Sequence, residues 1–333
     1  MKQQKFLFLD LVSSIFLLVI LIGNFLGLLY ITDGNLVISL LGSMFLVVCY
    51  FFVVQQLKKN KELMMKNNFL HGSILFWVFF LLLGFVSFSL MSHSINIEYN
   101  CKAQIKREAT KKIKLVDSLA AVYKKRSKDD VLNFEAQLKT KLTSFKSTKN
   151  NSIKTELTQD PYKVDAGILI NPDFINVDQV ASAKVTPYQL KIEKNNQNIE
   201  KTIGLNSKKY QSVFDNWKRL SLVATYSKLN EYVVENVALI NTKIAELPLD
   251  KTLFKVTPDT NQIPLNDPIK LNKLYPPQIA LPLIIILIIH LFILIPFLAH
   301  KVRGYKNSTP KNRTNTNSNK GATDKKQKGT IEL

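Results

Sequence analysis

Four runs of apolar residues, at about 6–30, 35–56, 69–91 and 278–300, bracket one polar block of nearly two hundred residues. Each run reaches the roughly 20 residues that a helix needs to cross a bilayer at about 1.5 Å rise per residue. A soluble fold would have to bury four helices that are apolar on every side. The arrangement therefore predicts an integral membrane α-helical protein with four transmembrane helices. Residues 1–91 form a three-span region, 92–277 an extracytoplasmic domain, 278–300 the fourth span and 301–333 a tail. Lys2 and Lys5 give the first run a signal-peptide-like start, but the run is too long and no small-x-small cleavage site closes it, so it reads as a retained span.

Lys and Arg beside short loops resist translocation, whereas long loops cross regardless of charge. The hairpin Thr32-Asp33-Gly34-Asn35 carries no cation, while the next loop carries Lys58, Lys59, Lys61 and Lys66 and the tail begins with Lys301 and Arg303. Both termini and the second loop are expected in the cytoplasm, with residues 92–277 in the periplasm and the spans in the inner membrane.

A formal charge of +20 invites a nucleic-acid reading. Forty of the 45 cations are Lys, however, and Asn is abundant, which points to a composition bias and not to a base-reading surface. A mixed, solvated surface is the preferred account, with anionic lipid or an acidic partner as the alternative for the external basicity. Two cysteines are too few for a disulfide framework. Cys49 lies within the second span, and Cys101 is either a buried, reduced residue or a bridge between two copies of the chain.

Within the external block, Ile105, Ala109, Ile113, Val116, Leu119 and Tyr123 recur at steps of three and four and predict an amphipathic helix. Ser127, Asp129 and Asp130 look like the cap of a second helix through Val131, Phe134, Leu138, Leu142 and Phe145. Gly167-Ile168-Leu169-Ile170 before a turn, and the alternation Tyr188, Leu190, Ile192, predict short strands, making the domain mostly α with an α+β middle. Helical spacing returns over 207–247, roughly 60 Å if unbroken. Pro248 closes it, and the prolines from Pro258 to Pro277 predict an extended connector without further helix. The Asn-, Thr- and Lys-rich tail is expected to be disordered.

No phosphate-binding glycine loop, kinase signature, Cys-x-x-Cys, His-Glu-x-x-His or Gly-x-Ser-x-Gly is present. All four histidines lie in or beside the apolar runs, so no enzyme, cofactor or metal is expected. Polar residues inside a bilayer are functional suspects because they are expensive there. His290, mid-way along the fourth run, is expected to be neutral and hydrogen-bonded to a neighbouring helix, with Ser13, Ser14 or Ser43 as candidate partners. The pairs Gly23 and Gly27, with Asn24 beside them, and Ser39 and Ser43 are small residues one turn apart that let helices approach closely. They are assigned to packing, within one chain in preference to between copies.

Three spans, a large external domain, a fourth span and a short basic tail resemble the membrane-anchor subunits of trans-envelope secretion machines, and specifically the TssN-type inner-membrane subunit of Bacteroidota type VI systems. The resemblance is one of architecture over the whole chain and carries no functional residue. It implies a non-enzymatic scaffold joining a cytoplasmic baseplate to periplasmic partners. The expected partners are other envelope proteins, further copies of the chain and the lipid bilayer. The alternative is a membrane sensor whose external domain binds a ligand and signals through a separate protein. A transporter is disfavoured by four spans without an internal repeat.

Overall fold

The computed structural model describes residues 2–62, 69–256 and 262–300. The expected tail over 301–333, Lys66 of the second loop and Pro258 of the connector lie outside the described residues. Among those described, every regular element is helical: α1 (Lys2–Ile31), α2 (Leu36–Glu62), α3 (Phe69–Asn96), α4 (Lys102–Thr148), α5 (Asn151–Thr158), α6 (Val177–Asp215), α7 (Arg219–Ser227), α8 (Leu229–Ile244), α9 (Pro268–Leu274) and α10 (Ala280–Ala299). The α+β expectation is thus corrected to all-α.

Helices α1, α2, α3 and α10 coincide with the four apolar runs, pack on one another, and are each long and apolar enough to cross a membrane. Their inward faces bury Leu17, Ile20, Tyr50, Phe80 and Ile289, while Phe45, Phe85 and Leu291 stand outward and exposed. An apolar outer surface of this kind suits lipid and would be costly in water.

The helix α3 does not stop where its apolar run stops. It passes through a π-helical turn, Ile97–Cys101, into α4, so the chain is helical from Phe69 to Thr148. Against α4 lie α6 and α8, and the shared core takes Ile105, Ile113, Val116, Phe134, Leu138 and Leu142 from α4 and Ile199, Ile203, Val237 and Ile240 from its partners. A second cap at Ser127–Asp130 was expected, but α4 runs straight through it. Ser127 Oγ bonds back to Lys124 O, and the buried Asp130 carboxylate accepts the backbone N–H groups of Leu249 (3.1 Å) and Asp250 (2.7 Å). Asp130 thus satisfies the segment after α8, not its own helix. We expect Asp130→Ala to lower the stability of the domain beyond the bundle by about 1–2 kcal/mol, since two part-buried backbone donors lose their carboxylate acceptor; chemical denaturation checks this. Asp130→Asn, which keeps an acceptor, should recover part of the loss.

Both expected strands are absent. Residues 165–170 form a tight turn in which Asp165 Oδ1 accepts from Gly167 N at 2.7 Å, burying Leu169 and exposing Ile168 and Ile170. Residues 188–192 lie inside α6, which starts at the Asn176 cap. Pro187 is tolerated there because it faces outward, where water can reach the carbonyl it leaves unbonded. The 207–247 helix is broken instead of continuous: Trp217 at φ 49° separates α6 from α7, and α8 follows at Leu229. The proline-rich connector also holds a short helix, α9, because Pro268 occupies a first-turn position where its missing N–H is not needed and Asp267 caps Ile269 and Lys270. Cys101 is fully buried, and burial pushes its thiol up to about 11, which leaves it protonated and inaccessible to a second copy.

Candidate functional sites in the bundle and at its outer end

One polar chain crosses the interior of the four-helix bundle, with a residue from each helix. Asn24 of α1 donates from Nδ2 to Ser87 Oγ of α3 at 3.0 Å. Ser87 Oγ lies 3.1 Å from Tyr50 Oη of α2, and Tyr50 Oη lies 2.8 Å from His290 Nε2 of α10. His290 Nδ1 is 2.7 Å from the Ile286 carbonyl of its own helix. Asn24, Ser87 and Tyr50 are wholly buried. Gly84 of α3 makes room for the ring, since a Cβ there would sit 3.0 Å from His290 Nε2. Phe80 and Tyr50 close the site with edge contacts to the imidazole.

Proton counting limits what this chain can do. A carbonyl only accepts, so the bond to Ile286 requires a proton on His290 Nδ1. With a neutral ring, Nε2 takes the single Tyr50 proton and Ser87 donates to Tyr50. With an imidazolium, Nε2 donates to Tyr50 and Tyr50 to Ser87. Either state is bonded throughout by turning hydroxyls, without moving a helix. The arrangement ties the four helices together through side chains that are each held by a neighbour. Among the described residues, no group of three His, Cys, Asp or Glu could hold a metal ion.

His290 thus bonds to a neighbouring helix, as expected, but through Tyr50 and not through a serine. Ser13 bonds instead to Ile293 O at 3.1 Å, one turn further along α10, while Ser14 bonds to Asp10 O and Ser43 to Leu40 O within their own helices. The serine expectation failed on depth: Ser13 and Ser14 sit too near the α1 start. Tyr50 was overlooked because an aromatic in an apolar run reads as filler. The signal that would have found it is the depth of each polar residue counted from its helix end. Ser39 bonds to Asn35 O (2.7 Å) and Thr32 Oγ1 (2.8 Å), closing the α1–α2 hairpin. Gly23 and Gly27 face α3, at Met91 and Leu90. We expect Tyr50→Phe to lower bundle stability by about 1 kcal/mol, with most of it coupled to His290 in a double-mutant cycle, because bonds between helices in lipid are individually modest.

At the outer end a carboxylate does the joining. Glu98, in the π turn, accepts from Tyr30 Oη of α1 (2.9 Å), Trp217 Nε1 (2.9 Å), and Arg219 Nε (2.8 Å) and Nη2 (3.1 Å). Burial alone would raise its pKa. The bonds from Arg219, Tyr30 and Trp217 outweigh that and hold it below the usual carboxylate range. Nearby, His93 Nε2 bonds to Leu265 O at 2.9 Å, and Asn96 donates to Asn272 Oδ1 (3.0 Å) and Tyr275 O (2.8 Å). The bundle and the domain built on α4 are thus fastened by the polar end of α3 as well as by covalent continuity. π turns of this kind recur at functional positions in helices.

The chain matches no family model, no curated protein and no solved structure.

At the opposite end, the carboxyl ends of α2 and α10 lie beside the start of α1. Lys58 pairs with Asp10 at 2.9 Å, and Lys61 Nζ donates to the last carbonyls of α10, Phe297 O at 2.9 Å and Leu298 O at 3.3 Å. A cation there complements the negative end of the helix dipole.

Proposed function

We propose that this protein is a non-enzymatic membrane anchor whose external stalk holds a docking surface away from the bilayer, as a subunit of a trans-envelope assembly. The observation that carries the reading is the unbroken run from α3 through α4. The 47 residues of α4 reach roughly 70 Å beyond the apolar helices, and α6 and α8 brace them along the core. At the far end, Ile170 and Phe174 are exposed, 76% and 85%, on turns ordered by backbone bonds. Rigid, exposed aromatic and aliphatic side chains are the usual anchors of protein interfaces.

The same reading places the spans in the inner membrane with both termini in the cytoplasm. It is supported by the basic residues Lys58, Lys59 and Lys61 at the bundle end opposite the external domain. Its finer form, a type VI-like secretion scaffold, is supported by the architectural resemblance. Many copies joined in a ring would convert weak single contacts into firm attachment. The test is cross-linked affinity purification from native membranes through a tag on the carboxyl-terminal tail. Stoichiometric envelope proteins and further copies of the chain are the expected result, and Phe174→Ser should lose the former. A monodisperse monomer without partners would overturn the reading.

A sensor is the second reading, favoured by a cleft of about 250 Å³ between α4 and α6 lined by Ala120, Ala121, Ile199 and Ile203, with Lys124 and Glu200 paired at 2.9 Å. Ligand-dependent thermal stabilisation of the whole protein would move the conclusion there, because a ligand bound only to the folded form raises its stability.

A further inference from the structure

The short helix α9 has an unusual surface. Leu271 is buried, whereas Ile269 (71%) and Leu274 (62%) are exposed, and Lys270 and Lys273 stand on the same open side. In the stalk domain these would be isolated oddities. Their height along the molecule gives them a shared explanation.

The bonds from His93 to Leu265 and from Asn96 to Asn272 and Tyr275 fix α9 level with the last turn of α3. The apolar run of α3 ends near Met91, so Asn96 stands roughly 7 Å beyond it at 1.5 Å per residue. The headgroup layer of a bilayer is itself about 5–7 Å deep on each side of the hydrocarbon. Six residues after α9, α10 enters its own apolar run at Ala280. From this geometry we infer that α9 is an interfacial foot: Ile269 and Leu274 enter the outer leaflet at headgroup depth while Lys270 and Lys273 contact lipid phosphates. The inference rests on the four apolar helices crossing a bilayer, but not on the stalk's role in an assembly.

The chemistry selects lipid over a protein partner. Aliphatic side chains mixed with lysines at this depth are the composition of interfacial anchors, whose apolar parts lie in the acyl boundary with charged heads among the phosphates. Ile279, five residues beyond Leu274 at the entry to α10, is exposed as well. The acids at this level are already engaged: Glu98 holds Arg219, Asp267 caps α9 and lies 3.3 Å from Lys270, and Asp33 accepts from Asn266. Lys273 is left facing the phosphate layer, and Lys270 beside it shares its charge with Asp267 at the surface.

The test uses the full chain in liposomes, with Cys49 and Cys101 replaced by Ala and a single bimane-labelled cysteine at Ile269, Leu274 or, as a reference in α2, Phe45. Labels at Ile269 and Leu274 should be quenched by nitroxide lipids carrying the spin near the headgroup and be largely protected from aqueous iodide. Quenching by iodide alone, with Phe45 still quenched by deep nitroxides, would overturn the foot and leave the spans intact. Failure of the Phe45 label to be quenched would overturn both. In nanodiscs, thermal stability should be higher in phosphatidylglycerol than in phosphatidylcholine, and the difference should shrink in Lys270→Gln/Lys273→Gln. An unchanged difference would overturn the phosphate contact.

Discussion

Replacing Gly27 by leucine should abolish the native bundle, lowering its stability by about 3 kcal/mol or more, because the space it needs is filled by backbone. A Cβ at this position would lie 2.7 Å from both the carbonyl carbon and the Cβ of Leu90, and closer still to the Leu90 oxygen. Helices α1 and α3 would have to separate, and the Asn24–Ser87 bond one turn away would separate with them. The same methyl at Gly23 meets the flexible Met91 side chain at 2.9–3.0 Å, so Gly23→Ala should be mild. Gly204 supplies the opposite sign: a Cβ there meets nothing within 4 Å, and Gly204→Ala should stabilise α6 by about 0.5–1 kcal/mol through helix propensity alone. Unfolding in mixed micelles ranks the variants. A Gly27→Leu protein as stable as the native one would refute the close packing of α1 on α3.

Removing the Glu98 carboxylate, as in Glu98→Ala, should loosen the joint between bundle and stalk by about 2 kcal/mol. Breaking a fully buried ion pair typically costs roughly 3–5 kcal/mol. Arg219 is 54% exposed here, so water takes up part of the loss. Hydrogen exchange should report it locally, with faster exchange around residues 93–101 and 217–227 and little change near Phe134. Uniform loss of protection along the chain would contradict this account. The pH dependence has a definite sign. Glu98 has a folded pKa below its unfolded value, so its contribution is present above the ordinary glutamate range and is lost as pH falls through the depressed folded value. The Asp250 carboxyl behaves likewise, held at about 2 by Arg126, so this tie of α4 to the segment after α8 should survive until strongly acid conditions.

The four apolar helices were legible because their signal is long and owes nothing to tertiary context. The interior of the stalk was less so, for reasons that particular residues make plain. Asp129 and Asp130 carry a cap's composition, yet Asp130 caps another segment 119 residues on, which local pattern cannot reveal. Over 188–206 the core-facing positions of α6 include Asn195 and Asn196, buried polar residues that erase the apolar period. Asn195 is satisfied by Glu246, far along the chain. Trp217 adopts a left-handed conformation that its type does not advertise. The polar chain was half visible: His290, and Asn24 beside the glycine pair, drew notice as polar residues among apolar ones, but their partners Tyr50 and Ser87 look ordinary until the helices are assembled.

The helical continuity from Phe69 to Thr148 makes the stalk a lever arm with its short end in the bilayer. Apolar helices adjust their tilt when bilayer thickness changes, and this adjustment is inexpensive in energy. A tilt of about 10° carried through the π turn into α4 would sweep the tip by roughly 12 Å over a 70 Å reach. Bilayer composition would then set where Ile170 and Phe174 are presented, with no ligand and no rearrangement of the core.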